Sequence, residues 1–78
     1  MELKDFVQNF AEQFDDTDIS EFQAGTAFRT IKEWSSLVAL NIIAMIDDEY
    51  NVQVKADDIR SSTTIEDLYN IVKTKMQQ

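Results

Sequence analysis

The chain contains no cysteine, no histidine, no proline and a single glycine, Gly25. Without cysteine it has no disulfide framework, no thiolate nucleophile and no zinc knuckle. Without histidine the Ser–His–Asp and Cys–His arrangements are excluded, as is a side chain whose ordinary pKa suits proton exchange near neutrality. An enzyme reading is therefore disfavoured. One glycine and no proline argue against a many-turned β-sandwich and for a few helices joined by loops. Basic charge is scarce too: seven Lys+Arg stand against fifteen Asp+Glu, a net charge of −8. Nucleic acid and anionic membranes are the wrong sign for such a surface, and neither is expected as a partner. Basic protein surfaces are the natural complement. The longest uncharged run, Trp34 to Ile46, falls short of the ~20 residues of a bilayer span. The opening MELKDFVQNF carries charge inside any apolar stretch, so no signal peptide is read there and a cytoplasmic location is expected.

What is present points to one small domain. Seventy-eight residues, 44% of them hydrophobic, support a single core, taken as residues 1–78. Residues 2–14 read as an amphipathic helix, with Leu3, Phe6, Val7, Phe10 and Phe14 recurring at steps of three and four. Asp15-Asp16-Thr17-Asp18 breaks that period, since short polar side chains bond their own backbone. The run lacks the glycine and terminal glutamate of a calcium loop. From there to Glu33 the pattern is irregular. It reads as an ordered loop pinned by Phe22 and Phe28, with one helical turn and Gly25 as a hinge.

The second helix spans Ser35 to Tyr50, with Ser35 a natural N-cap. It carries two stripes. Ala39, Ile42, Ile43, Ile46 and Tyr50 suit the core. Leu37, Leu40 and Ala44 form another, continued by Asn41, Asp47 and Asp48. A stripe that begins apolar and ends acidic suits a docking surface, although a tight bundle could also bury it. Asn51 to Val54 is an extended link, and Ala56 to Arg60 a short third helix anchored by Ile59. Thr63-Thr64-Ile65-Glu66 matches a capping box, opening a last helix that runs to about Lys75. Its expected buried face is Ile65, Leu68, Tyr69, Val72 and Met76, with Lys73 and Lys75 favourably near the C-terminus. The expected fold is all-α: a small up-down bundle of three long helices and one short one, with a long ordered loop after the first.

One constellation could carry chemistry. Ser36 and Leu37 open a helix whose next face is apolar and then acidic. A phosphate on a serine there would meet unpaired N–H groups and the positive end of the helix dipole. Spacing alone favours the plainer reading, in which Ser35 and Ser36 are only capping residues.

The same stretch, Ser35-Ser36-Leu37 followed by Val-Ala-Leu-Asn-Ile-Ile-Ala-Met-Ile-Asp-Asp-Glu-Tyr, resembles the Asp-Ser-Leu motif and second helix of the acyl carrier protein family. Asp47-Asp48-Glu49-Tyr50 matches the acidic run and aromatic that end that helix. Val54, Asp57-Asp58, Ile59 and Thr63-Thr64-Ile65-Glu66-Asp67-Leu68 fit the third helix and the start of the fourth. The resemblance covers nearly the whole chain and is strongest over 34–72. It implies an acyl-carrier-like fold and a carrier rather than a catalyst. Ser36 would receive a phosphopantetheine arm from coenzyme A through a separate phosphopantetheinyl transferase. The arm's thiol would hold acyl intermediates as thioesters for fatty acid, polyketide or related synthesis. The chain has no cysteine of its own, so such a thiol must be imported. The resemblance also implies docking of helix two on basic patches of acyl-loading ligases and synthases. Leu37, Leu40, Asn41, Ala44, Asp47 and Asp48 would form that partner surface on a monomeric carrier.

Three positions depart from the family pattern. Ser35 stands where an Asp is usual, Trp34 stands beside the motif where a Gly is missing, and Asn41 stands where an acid is common. They imply a specialised carrier with dedicated partners. Two other readings stay open: an aminoacyl or peptidyl carrier, including the D-alanyl type, and an unmodified helical interaction module using the Leu37/Leu40 face.

Overall fold

The computed structural model describes residues 1–77. These form α1 (Leu3–Ala11), α2 (Ser36–Tyr50), α3 (Ala56–Arg60) and α4 (Ile65–Met76). Single 3₁₀ turns lie at Ile19–Glu21 and Phe28–Thr30. The all-α class and the order of three longer helices and one short one follow the sequence expectation. Packing brings α1 against both α4 and α2, and α3 against α4.

The core combines aromatic and aliphatic side chains. Phe6, Phe10 and Phe28 are fully buried beside Ile42, Ile46, Ile65, Leu68 and Val72. Each large apolar side chain so buried contributes roughly 1.5–3 kcal/mol relative to exposure. Offset ring contacts add to this: Phe14 lies 4.8 Å from Phe22, Phe28 5.0 Å from Trp34 and Phe10 5.4 Å from Phe28.

Helix α1 ends at Ala11, short of the expected 14. Its last turn tightens, with the N–H of Gln13 and of Phe14 donating to the carbonyls of Phe10 and Ala11. That 3₁₀ tightening lets Phe14 swing out of register to meet Phe22 and Trp34. Ala11, unmarked in the sequence reading, is buried, while Leu3 and Val7 are only half-buried.

The loop over 12–35 is ordered by three devices. Phe22 and Phe28 are buried as expected. The Glu33 carboxylate accepts the N–H of Asp15 (2.7 Å), the N–H of Asp16 (3.0 Å) and the Thr17 hydroxyl (2.7 Å), tying the loop's two ends together. The carbonyls of Thr26 and Ala24 accept the N–H groups of Ile65 and Glu66, at 3.2 and 2.9 Å. The loop thereby fills the first donors of α4, which no residue within that helix can satisfy. Two 3₁₀ turns form where one helical turn was expected.

Gly25 is not a hinge in the sense expected of it. It has no positive φ, and the space a Cβ would occupy is empty. The left-handed position belongs to Asn51 instead (φ 55°), which closes the C-terminus of α2 by donating its N–H to the Asp47 carbonyl.

Two further details correct the sequence reading of α4. The capping box is set one residue later than expected: Thr64 Oγ1 accepts the Asp67 N–H at 3.1 Å, and Asp67 accepts the N–H groups of Thr63 and Thr64 at 3.0 Å. Asp67, not Glu66, is the reciprocal partner, because the helix starts at Ile65. Met76 lies past the core and is 46% exposed.

Candidate functional site

The site begins where the loop delivers the chain to α2. Trp34 is half-buried against Phe14 and Phe28, and its N–H donates to the Ile31 carbonyl. This fixes the backbone immediately before the two serines, which then divide the work of a helix start. Ser35 is extended (φ −157°) and its Oγ accepts the Val38 N–H at 3.2 Å. Its carbonyl accepts the Ala39 N–H. Ser35 is thus the N-cap, as expected.

Ser36 is the first helical residue and is exposed. No protein acceptor among the described residues takes its N–H or that of Leu37. The contrast with α4, whose first donors are filled by the loop, is physical rather than statistical. One helix mouth is covered by chain; the other opens to solvent with two donors and a hydroxyl. The helix dipole adds partial positive charge at that end.

Down the helix, Leu37 is 68% exposed and Leu40 62% exposed. Asn41, Ala44, Asp47 and Asp48 are exposed as well. At 100° per residue these side chains share one face of the helix. The structure therefore brings all six residues of the expected partner surface together and leaves them facing outward. Neither Asp47 nor Asp48 pairs with a cation among the described residues.

The inward face differs from expectation by a roll. Val38, Ile42, Met45 and Ile46 are buried, whereas Ala39, Ile43 and Tyr50 are half-buried. Val38 and Met45 were not marked as core in the sequence. A helix apolar on both faces gives no unique rotation. The choice falls to α1 and its aromatic stripe: Tyr50 is drawn to Phe6 at 5.7 Å, and its hydroxyl accepts from Asn9 Nδ2 at 2.8 Å. Burial pushes the Tyr50 phenol above its ordinary range, against the opposing pull of Asn9.

The roll leaves Ala39 and Ile43 lining a groove of about 380 Å³ between α2 and α3. Ser36, Trp34, Leu40 and Ile59 contribute to its walls, together with Arg29 and Arg60. Arg29 reaches it from the loop by donating Nη1–H to the Ile59 carbonyl at 2.8 Å. No periodicity marks that contact in the sequence, because its partners lie 30 residues apart. The groove is the feature that sequence reasoning missed.

No helix among the described residues is long and apolar enough to cross a membrane. Comparison with family models, curated proteins and solved structures finds no match for this chain.

Proposed function

We propose that the chain is an acyl carrier protein with an acyl-carrier-like bundle, and that Ser36 bears the phosphopantetheine arm. The observation carrying this reading is the exposed Ser36 at an uncovered helix mouth, beside a cap residue that leaves it free. The residues fit the group: a hydroxyl to esterify, and the N–H groups of Ser36 and Leu37 with the helix dipole to receive phosphate oxygens. When attached, the arm supplies a thiol that holds an acyl group as a thioester. This chain's own part is to present the hydroxyl, to offer the groove beside it, and to dock.

Docking falls to Leu37, Leu40, Asn41, Ala44, Asp47 and Asp48. Exposed leucines give a small apolar contact, and unpaired carboxylates steer the chain to basic patches on a transferase, loading ligases and synthases. Charge raises the encounter rate without a large buried interface, which suits a monomeric cytoplasmic shuttle that must leave each partner quickly.

The test is intact mass after incubation with coenzyme A and a broad-specificity phosphopantetheinyl transferase. Wild type gains the arm and Ser36→Ala does not. The exposure of Leu37 and Leu40 equally favours an unmodified interaction module. That reading expects no mass gain with any transferase and a long-lived complex at the same face.

A further inference from the structure

The groove beside Ser36 holds a cation that the protein itself does not neutralise. Among the described residues only Arg60 and Lys75 of the seven bases pair with a carboxylate, and of the unpaired ones Arg29 is the one that lines the groove. Arg60, the other guanidinium on the groove, is committed to Asp57. Arg29 is also held in place rather than left to wander. Its guanidinium carbon lies 5.3 Å from the centroid of the Phe28 ring, and Nη1 is fixed on the Ile59 carbonyl. A guanidinium presents five N–H donors in a rigid fork, and this contact uses one Nη1–H. The rest of the groove is largely apolar, through Trp34, Ala39, Leu40, Ile43 and Ile59.

An apolar wall with one preorganised, unpaired guanidinium matches an occupant with an aliphatic body and an anionic end. Resting on the carrier reading above, we propose that the groove selects dicarboxylic acyl cargo. One carboxyl is held as the thioester, and the other is free and bound by Arg29. Arg29 is exposed, and a charge-assisted pair of this kind is stronger than a neutral hydrogen bond. Arg29 is then the specificity-determining residue of the groove. A purely structural Arg29, stapling the loop to α3, would treat all cargoes alike.

The experiment compares cargoes of equal carbon number. The chain is loaded on its serine with coenzyme A, hexanoyl-coenzyme A or adipoyl-coenzyme A by a broad-specificity transferase, and loading is verified by mass. The adipoyl form is expected to melt roughly 4–8 °C above the hexanoyl form, the shift one such contact produces in a domain this small. The Arg29 Nε–H resonance moves in the adipoyl form alone. Arg29→Gln erases the difference between cargoes, and Arg29→Lys keeps part of it. Equal melting of the two acyl forms with an unmoved Arg29 overturns the proposal. So does an equal movement in the free-thiol form, which would assign the guanidinium to the arm's phosphate. Absence of any mass gain overturns the carrier reading, and this inference with it, and is told apart from the other outcomes by the mass spectrum alone.

Discussion

On the proposed carrier reading, two adjacent serines at one helix start serve different ends, and substitution separates them. Removing the Ser35 hydroxyl leaves the Val38 N–H without its acceptor. Ser35→Ala should cost about 1 kcal/mol, seen as a lower melting temperature, while Ser36 still accepts the arm. Ser36→Ala should leave stability nearly unchanged and abolish loading. Three carboxylates carry a second residue-scale prediction. The Thr17 hydroxyl chiefly, with the N–H groups of Asp15 and Asp16, holds Glu33 below its ordinary pKa. Asp18 is lowered by the Ser20 N–H, and Asp67 by the N–H groups of Thr64 and then Thr63. A carboxylate lowered on folding contributes stability above its unfolded pKa, about 4, and loses it as pH falls through the lower folded value. Tyr50 runs the other way: raised on folding, it contributes below its unfolded value and loses that as alkali titrates it in the fold. Acid also relieves repulsion among the surplus carboxylates, so the informative quantity is a difference. The gap in urea midpoint between wild type and Glu33→Gln should be full at pH 7 and shrink on acidification. A gap that widens in acid would contradict this account of Glu33.

At the scale of elements, the helix starts were the most legible part of the sequence. Ser35 and the threonines at 63 and 64 each mark a boundary through side-chain capping chemistry, which is local. The slips came where local chemistry leaves a choice. Thr63 and Thr64 both offer a hydroxyl, and Asp67 rather than Glu66 decided between them by reaching back to both N–H groups. The outward stripe of α2 was legible because acids follow its leucines, but the rotation of its inward face was not, since Ala39, Ile43, Val38 and Met45 are all apolar. The groove was illegible because Arg29 and Ile59 meet only when the loop folds over. Two substitutions test the element packing. Phe10, which touches Phe14, Phe22 and Phe28, should cost roughly 3–5 kcal/mol as Phe10→Ala, most of the stability of so small a domain. Gly25→Ala should instead stabilise by about 0.4–1 kcal/mol, because its conformation needs no glycine and an added Cβ meets nothing. Denaturant midpoints check both, and a loss on Gly25→Ala would restore the hinge.

Across the whole molecule, charge sets the behaviour. A net −8 on 78 residues repels itself, with two ion pairs, Arg60–Asp57 and Lys75–Asp58, among the described residues. Added salt or divalent cations should raise the melting temperature from its low-salt value; a fall would mean that the ion pairs outweigh the repulsion. The same excess gives the Leu37/Leu40 face its acidic end, while Arg29 lines the groove beside Ser36 without a carboxylate partner among the described residues. The proposed function rests on one hydroxyl, that of Ser36, exposed at the start of α2. The most direct measurement is peptide-level mass mapping after treatment with coenzyme A and a phosphopantetheinyl transferase, run on wild type, Ser35→Ala and Ser36→Ala. One arm on Ser36 in the first two proteins and none in the third is the expected result. Mass gain that survives Ser36→Ala, or none in wild type, would contradict it.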